Sequence, residues 1–227
     1  MNYTGTFSGA KQEERSRPRH RPFTVPRIDA TSARRGEIGH CKLGRTFLRN
    51  HMEGIASIDL FVVPTIAFQQ LYAFLVLGHR RRQLLWFAVT QNPTAECLAR
   101  QITEAFPWDS APKSLIRDND RAFGVAFKER IRAMGIRDRP TSYHSPWQNG
   151  YVERLIGSIR RECLDHLIIF NAEHLRRILE KYATYYNEVR AHVSLGKDAP
   201  CRRPIERFGD IVSYPILGGL HHRYARI

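Results

Sequence analysis

Cysteine is scarce in this 227-residue chain and scattered: Cys41, Cys97, Cys163 and Cys201 form no C-x-x-C pair. That spacing offers neither a zinc site nor a disulfide framework, and a reducing cytoplasm fits it best. Long apolar runs are missing as well. None approaches the roughly 20 residues that a membrane span needs, so no membrane association is expected. Met1 to Ala10 has no charged segment followed by an apolar one, which argues against a secretory signal. No internal repeat is visible. The other shortage is acid: 22 Asp and Glu stand against 36 Lys and Arg, giving a formal charge of +14 and an isoelectric point near 10.2. Such a surplus favours a polyanionic partner, with nucleic acid first, over a merely solvated basic surface.

What is present suffices for one substantial domain with extensions: 42% of residues are hydrophobic and 11% aromatic. Residues 1–44 do not belong to that core. The first fifty residues hold eleven Lys/Arg and four Asp/Glu, and Arg15-Ser16-Arg17-Pro18-Arg19-His20-Arg21-Pro22 has no apolar period. The expectation there is a disordered basic segment, either a phosphate-binding arm or the remainder of a truncated start.

Order is expected from near Phe47, with a core domain over 45–190 and a C-terminal extension over 191–227. The β-branched run Ile55 to Val63, then Leu71–Leu77 and Leu84–Val89, predict three strands, the last two joined as a hairpin by Gly78-His79-Arg80-Arg81-Arg82. Asn92-Pro93-Thr94 starts a helix with a stripe of Ala95, Leu98, Ile102 and Ala105. Lys113–Arg117 reads as a fourth strand and Ile136–Thr141 as a fifth. Phe123, Phe127, Ile131 and Met134 form a helix between them, ended by Gly135. Two further helices follow, one after Trp147 and one from about Ala172 to Val189. This order predicts an α/β fold, a five-stranded mixed sheet with helices on both faces.

Three carboxylates stand out. Asp59 lies inside an apolar strand, where an unpaired charge is costly; Asp118 follows the fourth strand; Glu153 opens a helix. Each has a plainer explanation as a hydrogen-bonded strand residue, a turn aspartate or a solvated helix surface. Together they read differently. If the first and fourth strands are neighbours, Asp59 and Asp118 meet, and a helix crossing that edge brings Glu153 to them. Three such groups repel unless a cation is present, and oxygen-only ligands suit Mg²⁺ or Mn²⁺. Two such ions about 3.5–4 Å apart serve phosphodiester displacement by water or a 3′-hydroxyl.

The residues Ile58-Asp59, then Asp118-Asn119 with Phe123, then His144-Ser145-Pro146-x-x-Asn149-Gly150-x-x-Glu153-Arg154, resemble the catalytic core of the DDE transposases and integrases. The 34 residues between Asp118 and Glu153 are close to that family's spacing. Tyr185-Tyr186-Asn187-x-x-Arg190-x-His192-x-x-Leu195 is similar to the tail segment of bacterial insertion-sequence members. The resemblance spans about residues 45–222. It implies a ribonuclease H-like fold, Asp59, Asp118 and Glu153 as the catalytic, metal-binding triad with two Mg²⁺ or Mn²⁺ ions, and DNA as substrate. It also implies a homo-oligomer on transposon ends and target, acting in the bacterial cytoplasm. Asp120 departs from the pattern, where glycine is usual; it is expected to face solvent.

Around the triad, helical spacing puts Gly157, Arg160 and Arg161 on the face of Glu153. Arg160 and Arg161 are expected to hold phosphates, the absent side chain at 157 leaving room for the approach. Asn149 and Arg154 are further expected DNA contacts. Gln148 is a candidate base contact, and Trp147 is expected to pack at the helix start. His144 is expected behind the metal ligands or against DNA rather than as a ligand, and His221-His222, facing opposite ways in a strand, is expected to be structural or at the surface rather than a metal site. Residues 1–44 lack both a helix-turn-helix pattern and a His/Cys zinc module. The expectation is a catalytic core whose sequence reader is lost or supplied by another chain. The rivals are an inactive remnant that only binds DNA or pairs with an intact transposase, and a stand-alone nuclease of the same fold.

Overall fold

The computed structural model describes residues 52–107, 110–143 and 145–227. The expected basic segment 1–44, Cys41 and His144 lie outside them. Five strands form one sheet: β1 (Ile55–Pro64), β2 (Gln70–Gly78), β3 (Gln83–Thr90), β4 (Ser114–Arg117) and β5 (Arg137–Pro140). Their order is β3-β2-β1-β4-β5, antiparallel from β1 to β3 and parallel from β1 to β5. This is the mixed sheet that the strand pattern predicts. The order follows from the connections. The turn Gly78–Arg82 is short enough for a hairpin, whereas the parallel pairs need crossover helices. These are α1 (Ala95–Ala105), between β3 and β4, and α2 (Val125–Ala133), between β4 and β5.

Side-chain alternation along β1 divides the core in two. Ala56 and Ile58 join Phe74, Val76, Leu98, Ile102, Leu115, Phe127 and Ile131 beneath α1 and α2. Phe61 and Val63 face the other way with Leu71, Ala73, Leu75 and Leu77. That second side is covered by α3 (Gly150–Glu162), through Val152, Leu155 and Ile159, and by α4 (Ala172–Glu188), through Leu175, Leu179, Tyr182 and Tyr186. Ser57 and Asp59 share the parity of Phe61, so Asp59 lies on the α3 side. The α1 start is capped by Thr94, whose hydroxyl accepts from the Cys97 amide. The α2 end turns through Gly135 at φ +71°.

After α4 the chain returns to the β2–β3 turn. Arg81 donates to the Pro200 and Ala199 carbonyls and to Asp198 (2.6, 2.8 and 2.7 Å). A hairpin not foreseen in the sequence follows, β6 (Ile211–Ile216) with β7 (His221–Arg226). His221 stacks on Tyr185 at 4.0 Å and bonds the Glu162 carbonyl, while His222 is exposed. His221 is thus placed structurally and His222 at the surface, the two alternatives expected of the pair. Among the described residues no helix is long and apolar enough to cross a membrane, and Cys97, Cys163 and Cys201 are free thiols.

Candidate active site

Neighbouring strands β1 and β4 set two of the three carboxylates level. Ser57 pairs with Ile116, and the same register carried two residues further puts Asp59 opposite Asp118. The Pro146–Asn149 turn then delivers Glu153 in the first turn of α3. The three groups lie in one another's field. Burial above all, then Asp118, Glu153 and Asp120, lift the Asp59 carboxyl to about 7, against the amide of Leu60, which donates to Asp59 Oδ1 and lowers it (2.7 Å). Glu153 is raised by burial and by Asp118. Like charges brought together in this way repel. Among the described residues no group of three His, Cys, Asp or Glu side chains is drawn close enough to hold a metal ion as arranged.

The donor set nonetheless fits a hard divalent cation. It is all oxygen, it bears surplus negative charge, and it includes a partly buried carboxyl whose ionised form lacks a compensating charge. Beside it the buried Oδ1 of Asn149 has no hydrogen-bond partner among the described residues.

Asn149 corrects one expectation. It is 1% exposed, too deep to meet DNA, and its amide donates to the Ile58 carbonyl (3.1 Å) and to Asp118 Oδ1 (3.4 Å). It ties β1, the Asp118 loop and the α3 entrance together. Thr141 adds a hydroxyl contact to Asp118 Oδ1 at 3.4 Å. Trp147 corrects another: it is 73% exposed rather than packed at the helix start. Gln148 is also exposed, and its Oε1 accepts from the Ser142 amide (2.8 Å), closing the loop ahead of α3. Asp120 is exposed, and its Oδ1 accepts from the Ala122 amide in a local turn (2.8 Å).

Arg154, Arg160 and Arg161 are exposed along α3. Arg160 reaches back over the Phe61 ring (5.7 Å) and toward the Val62 carbonyl (3.5 Å). The space at Gly157 is not open. A Cβ there would meet Arg161 Nη1 at 3.0 Å, so the guanidinium fills the room expected for an approaching nucleotide. Because that atom ends a flexible side chain, Gly157→Ala should cost little and gain helix propensity of about 1 kcal/mol. A rise in melting temperature of roughly 2 °C is expected; a fall would show that Arg161 is held over the backbone by more than packing.

The group that fixes Asp118 was not foreseen in the sequence. Arg117, 1% exposed, donates Nε and Nη2 to both oxygens of Asp138 (2.8 and 2.7 Å) and Nη1 to the Asp118 carbonyl (3.0 Å), and its guanidinium lies 5.4 Å from the Phe123 ring centroid. The signal was present in parity: Arg117 shares the buried face of Leu115, where a charge must find a partner on the adjoining strand. A second network was also missed. Glu162 accepts Nε and Nη2 of Arg190 (2.8 and 2.6 Å) and the Tyr182 hydroxyl (3.0 Å). Arg190, chiefly through that bond, holds Glu162 below its usual range against the effect of burial.

Proteins similar to this chain point one way. Residues 134–200 match the integrase core domain family. Over 122 residues, 53% of the chain, the sequence is 25% identical to an uncharacterized 39.2 kDa protein of insertion element IS476 from Xanthomonas euvesicatoria. Over 104 residues, 45% of the chain, it is 29% identical to an uncharacterized 31.7 kDa protein of insertion element IS407 from Burkholderia multivorans. The matched stretches span 35% and 38% of those proteins, so the chain covers little more than a third of their length. The catalytic domain of Mos1 mariner transposase superposes with a TM-score of 0.54 at 11% identity, over 64% of this chain and 76% of that one. The HTLV-2 integrase catalytic core domain in complex with magnesium gives 0.50 at 16% identity, over 64% and 92%. At such identities the likeness is one of fold, and the fold is ribonuclease H-like.

Proposed function

We propose that this chain, a relative of the insertion-sequence transposases and retroviral-type integrases with their catalytic-core fold, cleaves DNA phosphodiesters and transfers the strand, using divalent metal held by Asp59, Asp118 and Glu153. What supports this reading is that those carboxylates, on two neighbouring strands and a helix start, lie near enough for Asp118 and Glu153 to raise Asp59 and for Asp118 to raise Glu153. The charge of +14 supplies the complementary sign for a phosphate backbone. Mg²⁺ or Mn²⁺ suits the oxygen donors; when bound, two such ions activate the attacking oxygen and stabilise the leaving one.

The chain's own residues do the remaining work. Asn149 and Arg117 hold the Asp118 segment, Asn149 also fixes β1 at Ile58, and Leu60 N–H orients the Asp59 carboxylate. Arg160 and Arg161 hold phosphates on the face of α3 they share with Glu153, restricting the attack to one geometry, and Arg154 contacts DNA from the helix's other flank. Transposon ends and target are the DNA partners. Joining two ends uses more than one active site, so a homo-oligomer assembles on the DNA, in the bacterial cytoplasm on chromosome or plasmid. The domain division follows the same reading: a basic segment at 1–44, a catalytic core at 45–190 and an extension at 191–227.

The test uses duplexes carrying the terminal repeats of the encoding element, with Mn²⁺, scored for hydrolysed and for joined ends. Wild type should yield both products, and Glu153→Gln should yield neither above background. Undiminished activity in the variant would remove the triad assignment. Hydrolysis without joining would favour the nuclease reading, and inactivity with retained DNA binding the remnant reading.

A further inference from the structure

The flank of α3 turned away from Glu153 closes a second basic site. With the β2–β3 turn and the segment after α4 it encloses a cavity of about 460 Å³, whose lining includes Arg82, Tyr151, Arg154, Ser158, Arg190 and His192. No acidic side chain lines it. Arg82 lies 4.9 Å from the Tyr151 ring centroid. Arg190 is committed to Glu162 by two hydrogen bonds. Arg154 is exposed, with no ion pair among the described residues. The most telling group is His192: it is 6% exposed and edge-on to Tyr186 at 4.8 Å, and its buried Nε2 has no hydrogen-bond partner among the described residues.

A polar atom that deep without a protein partner costs free energy unless a ligand or solvent completes it. Three guanidiniums share the cavity with that atom, and only one is matched to a carboxylate. Planar, permanently charged donors of this kind match the geometry of phosphate and carboxylate, and the chain's charge of +14 favours a polyanion, for which phosphate is the repeating group.

We propose that this cavity is a second phosphate site, taking a backbone phosphate of a nucleic-acid strand on Arg82 and Arg154 with a hydrogen bond from protonated His192 Nε2. Only the source of the phosphate rests on the DNA reading given above. The site lies on α3 one residue from Glu153, so a strand seated there is held in fixed register with the carboxylates across the helix.

His192 makes binding proton-linked. Burial first, then Arg190 and Arg82, lower its basicity below the ordinary histidine value, against its hydrogen bond to the Tyr186 backbone and the more distant Glu162, which raise it. Arg154 faces the same cavity from α3, and Lys197 and Asp198 pair with the His192 backbone from the following turn. A bound phosphate adds negative charge next to Nε2 and raises its basicity, so binding takes up a proton. Affinity therefore grows as pH falls through the bound-state value and levels off below the lowered free-state value.

The experiment is NMR of histidine-labelled full chain, with His192→Gln to assign the ring signals. Inorganic phosphate and a short oligothymidylate are the two probes. The oligonucleotide should shift His192 toward its protonated form at neutral pH. In the doubly substituted Arg82→Asn, Arg154→Gln protein (asparagine chosen because residue 82 has φ +57°) that shift should vanish. The salt dependence of oligonucleotide binding, read by fluorescence anisotropy, should then fall by about 0.7, one phosphate contact. A His192 signal unmoved by both probes overturns the proposal, as does an unchanged salt slope in the double variant. Movement with inorganic phosphate alone overturns the nucleic-acid source. A His192 response in a protein that never cuts DNA would leave this site standing and defeat the catalytic reading.

Discussion

Replacing Asp59 with asparagine should abolish metal-dependent DNA cleavage and, at pH 8, make the protein more stable. The two effects share one cause. Burial, the first contributor, and the neighbouring Asp118, Glu153 and Asp120 lift the Asp59 carboxyl from 3.8 to about 7. A raised carboxyl binds its proton more tightly in the folded chain than in the unfolded one. The stability linked to that proton is fully present below pH ~4 and is lost as pH rises through about 7. A shift of that size corresponds to roughly 2–4 kcal/mol once solvent relaxation at a half-buried group is allowed for. A neutral asparagine side chain at this position would carry no such penalty. Melting curves at pH 4, 6 and 8 should therefore show the variant about 5–10 °C higher at pH 8, with the gap closing toward pH 4.

Divalent metal discriminates further. On the proposed reading Mn²⁺ would bind the folded carboxylates and stabilise wild type by mass action, so its melting temperature at pH 8 should rise with metal while that of Asp59→Asn moves little. A wild type no less stable than the variant at pH 8, or equally responsive to Mn²⁺ once Asp59 is gone, would show that Asp59 bears no strained charge and is no ligand.

The sheet was readable because β1, β2 and β3 are long, apolar and punctuated by turn residues, and because the Ala95, Leu98, Ile102 stripe has an unmistakable helical period. The carboxylates were readable because Asp59 breaks an apolar run and Asp118 follows a strand. What escaped was pairwise. Arg117 and Asp138 are unremarkable alone, since four-residue strands such as Ser114–Arg117 and Arg137–Pro140 carry too little pattern to assign faces; only the register of Leu115 on Asp138 makes them partners. Asn149 looked like a surface motif residue because its burial depends on Ile58, ninety-one residues earlier. Trp147 was assigned to packing on its apolar character, yet among the described residues it stands 73% exposed at the α3 entrance. The hairpin Ile211–Arg226 is exposed along most of its length, so no alternation of burial marks it.

Breaking the Arg117–Asp138 pair should be the most destabilising single change near the site. Asp138→Ala leaves a guanidinium that is 2% exposed facing an apolar side chain, and uncompensated buried charges of this kind cost about 3–5 kcal/mol. Asp138 itself is 28% exposed, so water can partly replace it and the lower figure applies. The expected result is a melting temperature lower by about 10 °C. Removing both charges is a different matter. Arg117→Met with Asp138→Leu deletes the desolvation cost along with the attraction, and should recover most of the lost stability. Activity should not recover with it. The Nη1 bond to the Asp118 carbonyl goes with Arg117, so the double variant should fold well and cut DNA poorly, even at a temperature where both proteins are fully native. A double variant with wild-type cleavage would show that the pair serves the fold alone. One as unstable as Asp138→Ala would show that the cost lies in lost packing around Phe123 rather than in a stranded charge.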